Sequence, residues 1–90
     1  MGMSAVQFKL MPESIDVDLK GIAKKAEATI RSLGGVFSGS EEQPIAFGLK
    51  ALMISIAFPE SKEIDEVGNA LEKISGVSSV EMTDYRRAIG

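Results

Sequence analysis

Residues 49–59 alternate between two classes of side chain. Leu52, Ile54, Ile56 and Phe58 are bulky, and Ala51, Met53, Ser55 and Ala57 between them form a smaller, only mildly polar set. A period of two puts the sets on opposite faces of a β-strand. The bulky face demands a covering layer of helices. The other suits the partly exposed back of a central strand. The rest of the chain must therefore supply neighbouring strands and amphipathic helices.

Residues 4–11 supply a strand: Val6, Phe8 and Leu10 alternate with Gln7 and Lys9, and Pro12, lacking an N–H, ends the ladder. Residues 15–33 have helical spacing. Leu19, Ile22, Ala23, Ala26, Ile30 and Leu33 form one apolar stripe, and Lys20, Lys24, Lys25, Glu27 and Arg31 fall mostly on the other faces. Glu27 and Arg31 are spaced to pair, Asp16 and Asp18 sit where acids favour helix initiation, and Gly34 is placed to end the helix in a left-handed conformation. Residues 35–43 read as an edge strand, with Val36 and Phe37 for it and Gly39 against it; Glu41, Glu42 and Pro44 discourage edge-to-edge association. A second helix is expected over residues 62–75, with the stripe Ile64, Val67, Leu71 and Ile74, Ser61 as N-cap and Gly76 as stop. Residues 77–87 form the last strand, with Val80 and Met82 inward.

The order is β-α-β-β-α-β. A weak internal repeat supports it, since a helix end, glycine and Val-led strand recur in Leu33-Gly34-Gly35-Val36-Phe37 and Ile74-Ser75-Gly76-Val77-Ser78. With right-handed crossovers this predicts an α+β, ferredoxin-like two-layer sandwich: a four-stranded antiparallel sheet with both helices on one face. A chain of 90 residues makes residues 1–90 one domain.

Composition narrows the chemistry. With 44% hydrophobic and 26% charged residues the chain is globular. It has neither cysteine nor histidine, so disulfides are excluded, soft-metal sites are close to excluded, and Ser-His-Asp or Cys-His catalysis has no base. No catalytic residue, metal site or cofactor is expected. The net charge of −3 argues against direct nucleic-acid binding. The central strands would also turn only Gln7, Lys9, Ala51, Met53, Ser55 and Ala57 outward, which gives bases no aromatic platform. No targeting signal is read at residues 1–4, and the longest apolar run is too short to span a bilayer. A soluble cytoplasmic protein is the expectation.

Few segments remain as candidate sites. Glu13, Asp16 and Asp18 offer oxygens near a helix start without the spacing of a calcium loop, and helix capping accounts for them better. Gly34-Gly35 follows a helix rather than opening one, so no helix N-terminus is aimed at it as a phosphate loop requires. Pro44-Ile45-Ala46-Phe47-Gly48 differs, because it links two strands and carries Ile45 and Phe47 at a loop tip. Those side chains either fold back to seal the core or stand out as a protein-binding anchor, and the residues leave both open. Arg86 and Arg87 are either a solvated basic end or a cationic probe for phosphate or carboxylate.

Three segments in order carry a resemblance across the whole chain: Met11-Pro12-Glu13-Ser14 with Asp16-Val17-Asp18-Leu19; Glu42-Gln43-Pro44-Ile45-Ala46-Phe47-Gly48-Leu49-Lys50-Ala51-Leu52; and Val80-Glu81-Met82-Thr83-Asp84-Tyr85-Arg86-Arg87. The middle one is the most specific. The sequence resembles the archaeal translation elongation factor 1-beta family and the C-terminal exchange domain of its eukaryotic counterpart. The resemblance implies a guanine-nucleotide exchange factor that releases GDP from elongation factor 1-alpha so that GTP can reload. The partner would be bound in its GDP-bound and nucleotide-free states, through its nucleotide-binding domain and the neighbouring β-barrel domain. It implies that Phe47 enters an apolar pocket of the partner and that Pro44, Ile45, Ala46 and Gly48 shape its loop. The penultimate lysine of eukaryotic members, which reaches the magnesium and phosphate region, aligns on this resemblance with Arg87, preceded by Arg86. This chain departs from that pattern in having Arg for Lys and in continuing through Ala88, Ile89 and Gly90.

Two other readings are weighed beside this one. An ACT-like regulatory module would pair sheets and bind a small ligand between them, and would be a stable dimer; the exchange factor would be a monomer when free. A small enzyme of the acylphosphatase type needs a phosphate-cradling loop after the first strand, but Pro12-Glu13-Ser14-Ile15-Asp16 is acidic and repels phosphate.

Overall fold

The computed structural model describes residues 2–87. They run in the order β1 (Met3–Pro12), α1 (Leu19–Ser32), β2 (Val36–Pro44), β3 (Lys50–Pro59), α2 (Asp65–Glu72) and β4 (Val77–Arg87). Every pairing is antiparallel, and the strand order is β2-β3-β1-β4. Each helix thus carries the chain over one intervening strand, α1 past β3 and α2 past β1. This is the ferredoxin-like arrangement predicted from the residues, with β1 and β3 central and β2 at an edge.

The core follows from the central register. Val6 lies opposite Ile56, Phe8 opposite Ile54 and Leu10 opposite Leu52, so the bulky sets of both strands share one face. Ile22, Ala26 and Ile30 of α1 and Val67 and Leu71 of α2 join them in one buried cluster. On the opposite face, Ala51 and Met53 are also buried. Cross-strand neighbours with longer side chains flank them, Gln43 beside Ala51, and Glu41 and Lys9 beside Met53.

Both helices are shorter than their apolar stripes. α1 begins at Leu19, not at residue 15. The Ser14 hydroxyl accepts from the Asp16 N–H at 3.3 Å, and the Val17 N–H donates to the Ser14 carbonyl at 3.4 Å, which bends residues 14–17 into a turn. Asp18 is the N-cap: its φ of −79° and ψ of 100° are extended, and its carboxylate accepts from the Lys20 N–H at 3.1 Å. Ile15 is thereby left out of the helix, and it is 65% exposed. α2 starts at Asp65 behind Ile64 and has no side-chain cap, so Ser61 does not hold the place expected of it. Asp65 and Glu66 in its first turn complement the helix dipole instead.

The turn before α2 serves the other helix. Lys62 Nζ donates to the Leu33 carbonyl at 2.8 Å, putting a cation on the C-terminal end of α1. Gly34, just past the end of α1, has φ of 90°, in the left-handed region expected where that helix stops; α2 stops earlier than expected, at Glu72, and Gly76, with φ of 95°, lies instead in the turn that leads into β4. Arg31 pairs with Glu27 along α1 as the spacing predicted.

β4 has the predicted extent, but its inward side is poorly covered. Val80 and Met82 lie opposite Leu10 and Phe8, on the core side, yet Met82 remains 45% exposed. An eight-residue α2 is about 12 Å long at 1.5 Å per residue and cannot shield a much longer strand.

Gly35 sits where the chain leaves α1 for β2. A β-carbon there would lie 2.9 Å from Ile30 Cγ2, 2.9 Å from Phe58 Cδ1 and 3.1 Å from the Ala57 carbonyl oxygen. The Gly34-Gly35 pair therefore ends a helix and lets the backbone pass close to the core. Gly35→Ala should destabilise the protein by about 1–3 kcal/mol through overpacking, measured by urea denaturation. Lys62→Met keeps the aliphatic stem but removes the cap, and should lower stability by about 0.5–1 kcal/mol in the same measurement, with a smaller difference at high salt.

Candidate partner-binding surface

β2 and β3 are antiparallel and adjacent, so the chain between them must reverse tightly. The ladder closes on the pair Pro44 and Lys50. Beyond it the Ile45 N–H donates to the Leu49 carbonyl at 2.9 Å, and the Leu49 N–H donates to the Ala46 carbonyl at 2.9 Å. That leaves Phe47 and Gly48 as the central residues, with φ of 54° and 79°. Positive φ at both positions is what the type I′ hairpin reversal requires, and Asn-Gly is the pair that meets it at least cost. Gly48 fits. Phe47 does not, because a bulky side chain in the left-handed region clashes with its own backbone. Phe47 is also 98% exposed, and Ile45 is 43% exposed. Of the two fates open to these side chains in the sequence, the structure takes the outward one, and Ala46 and Gly48 beside them are exposed as well.

Arg86 and Arg87 lie at the other end of the sheet. Arg86 pairs with Ala5 and Arg87 with Ser4, near the start of β1, whereas the hairpin tip adjoins its finish. Ten residues of β3, Lys50–Pro59, separate the two ends, roughly 30 Å at 3.3 Å per residue. The predicted residues therefore form two surfaces, one apolar and one cationic.

The two arginines also part from each other. Successive strand residues face opposite sides of a sheet. The β1–β4 register shifts between Gln7 and Phe8, leaving Thr83 as an extra residue in β4, with its hydroxyl donating to the Gln7 carbonyl at 3.2 Å. Strict alternation from Val80 and Met82 would put Arg86 on the helix side. The bulge reverses this: Tyr85 and Arg87 fall on the helix side, opposite Val6 and Ser4, and Arg86 falls on the open face. There Arg86 Nε lies 3.2 Å from Asp84 Oδ2. On the helix side the Ser4 hydroxyl donates to the Tyr85 oxygen at 3.0 Å. Among the described residues Arg87 makes no ion pair. Ala88, Ile89 and Gly90 lie outside the described residues.

The acidic β1–α1 loop lies at the hairpin end. A β-carbon on Gly48 would be 3.9 Å from Ile15 Cγ2. A cleft of about 510 Å³ opens between the two loops, lined by Ile15 and Val17 on one and by Glu42, Gly48 and Lys50 on the other. Ile15 was not among the residues singled out in the sequence. The available signal was an apolar residue between Ser14 and Asp16, two residues that both favour turns over helix.

The chain is similar to known proteins along nearly its whole length. The model of the EF-1 guanine nucleotide exchange domain matches residues 5–88. Elongation factor 1-beta of Methanosarcina barkeri (strain Fusaro / DSM 804) is 38% identical over 88 residues, covering 97% of this chain and 99% of the relative. That of Methanothermobacter thermautotrophicus is 39% identical over 88 residues, covering 97% and 98%, and that of Methanococcoides burtonii is 37% identical over 90 residues, covering 99% and 100%. Among solved structures, the ACT domain from GTP pyrophosphokinase of Chlorobium tepidum superposes with a TM-score of 0.63 over 90% of this chain and 99% of that one. At 15% identity it speaks for the shared fold alone. With matches running from β1 to the end of β4 and through the hairpin, this chain belongs to the EF-1 guanine nucleotide exchange domain family, alongside the archaeal elongation factors 1-beta.

Proposed function

We propose that residues 1–90 act as one guanine-nucleotide exchange domain, which promotes GDP release from elongation factor 1-alpha and so allows GTP to reload. The observation that carries this reading is Phe47, an aromatic side chain held in a strained backbone conformation and exposed almost completely. A left-handed non-glycine residue costs about 1–3 kcal/mol, and such strain collects at functional positions. Burying an aromatic side chain in a partner's pocket returns about 1.5–3 kcal/mol. Phe47 is the proposed anchor, with Ile45 beside it and Pro44, Ala46 and Gly48 shaping the turn.

Exchange then follows from linkage. A factor that binds the nucleotide-free partner more tightly than the GDP-bound partner weakens GDP binding by the same ratio. Magnesium bridges nucleotide phosphates to a GTPase, and a cation brought near that ion competes with it. Arg87 is the proposed cation, since Arg86 is engaged by Asp84. The separation of roughly 30 Å between tip and arginines supports contact with two domains of the partner, one taking Phe47 and the other meeting Arg87. No bond is made or broken by this chain, so the absence of histidine and cysteine is no obstacle. The protein would work as a monomer in the cytoplasm, where its partner carries aminoacyl-tRNA. No helix among the described residues is long and apolar enough to cross a membrane.

The deciding experiment is release of a fluorescent GDP analogue from elongation factor 1-alpha at fixed magnesium. The wild-type chain should accelerate release, and no acceleration at any concentration overturns the reading. Phe47→Asn should do two things together. It should raise stability by about 1 kcal/mol in urea denaturation by relieving the turn. It should also raise the concentration for half-maximal exchange roughly thirtyfold, as expected for loss of an interface hot spot. A variant more stable yet less active cannot be dismissed as misfolded. Arg87→Ala should lower the maximal exchange rate about tenfold or more, the effect of losing one charge-assisted contact, with little change in the half-saturating concentration. Arg87→Lys should retain the rate, and Arg86→Ala should change it far less.

A further inference from the structure

Ile15 has no role in the core. It is 65% exposed in the turn that precedes α1, excluded from the helix by the Ser14 and Asp18 side chains. A single exposed aliphatic residue on a surface is ordinary. This one stands across from the hairpin tip. Ile15, Ile45 and Phe47 are 65%, 43% and 98% exposed, and two separate loops bring them to one end of the sheet. Ile15 stands close to the turn, a β-carbon on Gly48 lying 3.9 Å from Ile15 Cγ2, and both residues line the cleft of about 510 Å³.

The charges around this cleft decide what it can take. Asp18 and Lys20 lie on one side, and Glu42 and Lys50 on the other, with Lys50 Nζ 3.7 Å from Glu42 Oε1. The signs balance, so the rim selects neither an anion nor a cation. Apolar prongs beside a polar, charge-balanced rim are the anatomy of a protein–protein contact.

We infer that Ile15 is a second apolar anchor for the same partner that takes Phe47, the two side chains standing exposed on neighbouring loops at one end of the sheet. This rests on the exchange reading proposed above, because the partner is the same GTPase. The tip then grips with two prongs from independent loops. The second prong adds its own buried apolar contact to that of Phe47 and so tightens binding.

The test is the same fluorescent GDP release assay with Ile15→Asp and Ile15→Leu, titrated against elongation factor 1-alpha. Ile15 is exposed, so both variants should melt with the wild type. Ile15→Asp should raise the half-saturating concentration about tenfold, as expected for loss of one buried aliphatic contact, while the maximal rate at saturation stays unchanged. Ile15→Leu should restore wild-type half-saturation. Acceleration by the wild type with unchanged half-saturation in Ile15→Asp overturns this inference and leaves the exchange reading standing. Loss of maximal rate at unchanged half-saturation overturns it equally, since an anchor acts on binding. Failure of the wild type to accelerate release overturns both.

Discussion

The pairing of β1 with β3 is the constraint on which everything else rests. Val6, Phe8 and Leu10 meet Ile56, Ile54 and Leu52 across the two central strands, and every one of these side chains is buried. A slip of one residue in that register would turn a whole bulky set to solvent. The helices pack where they do because this face exists, and the edge strands extend a sheet whose centre is already fixed. α1 reaches β3 and β2 through Ile22, Ala26 and Ile30, and α2 lies over the β1 and β4 side through Val67 and Leu71.

The same geometry makes the two ends of the sheet available. β1, β3 and β4 are 10, 10 and 11 residues long, whereas α2 has only 8. A helix advances less than half as far per residue as a strand, so the sheet outruns its cover. At one end the overhang is a strained hairpin tip beside the β1–α1 loop. At the other it is the arginine end of β4, braced by the Ser4–Tyr85 hydrogen bond. A long sheet held rigid in the middle works as a spacer between two contacts. Strain at Phe47 is tolerated because the flanking ladder from Pro44 and Lys50 inward holds the turn closed.

Much of this was legible in the residues. The alternation in β1 and β3, the stripes of both helices and the stop at Gly34 each state a local preference that the packed structure keeps. The misjudged boundaries share one cause. Residues 15–18 and 62–64 have helical spacing of apolar side chains, but Ser14 and Asp18 capture backbone N–H groups in one case, and the Lys62 N–H is held by the Pro59 carbonyl in the other. Periodicity records which side chains seek the core; it does not record competition for backbone hydrogen bonds at helix ends. Phe47 was identifiable as an apolar residue in a loop, but its orientation was open. Ile15 was hidden at the start of an apparent helix.

The sequence by itself determined the order of elements, the two-layer fold, the central position of β1 and β3 and the absence of the cysteine and histidine that thiol and imidazole chemistry need. These follow from local periodicity and side-chain chemistry, which a linear string carries in full. Only the tertiary structure decided that Phe47 stands outward with a left-handed backbone, that Ile15 comes to the same tip, and that Arg87 rather than Arg86 falls on the helix side at the far end. Those outcomes depend on the closing geometry of the β2–β3 turn, on which loops share an end of the sheet, and on one extra residue at Thr83 that reverses the facing of β4 beyond it. The first is set by the register in which the β2–β3 ladder closes, and the other two are relations between segments distant in sequence, so the physical forces that set them act across the fold.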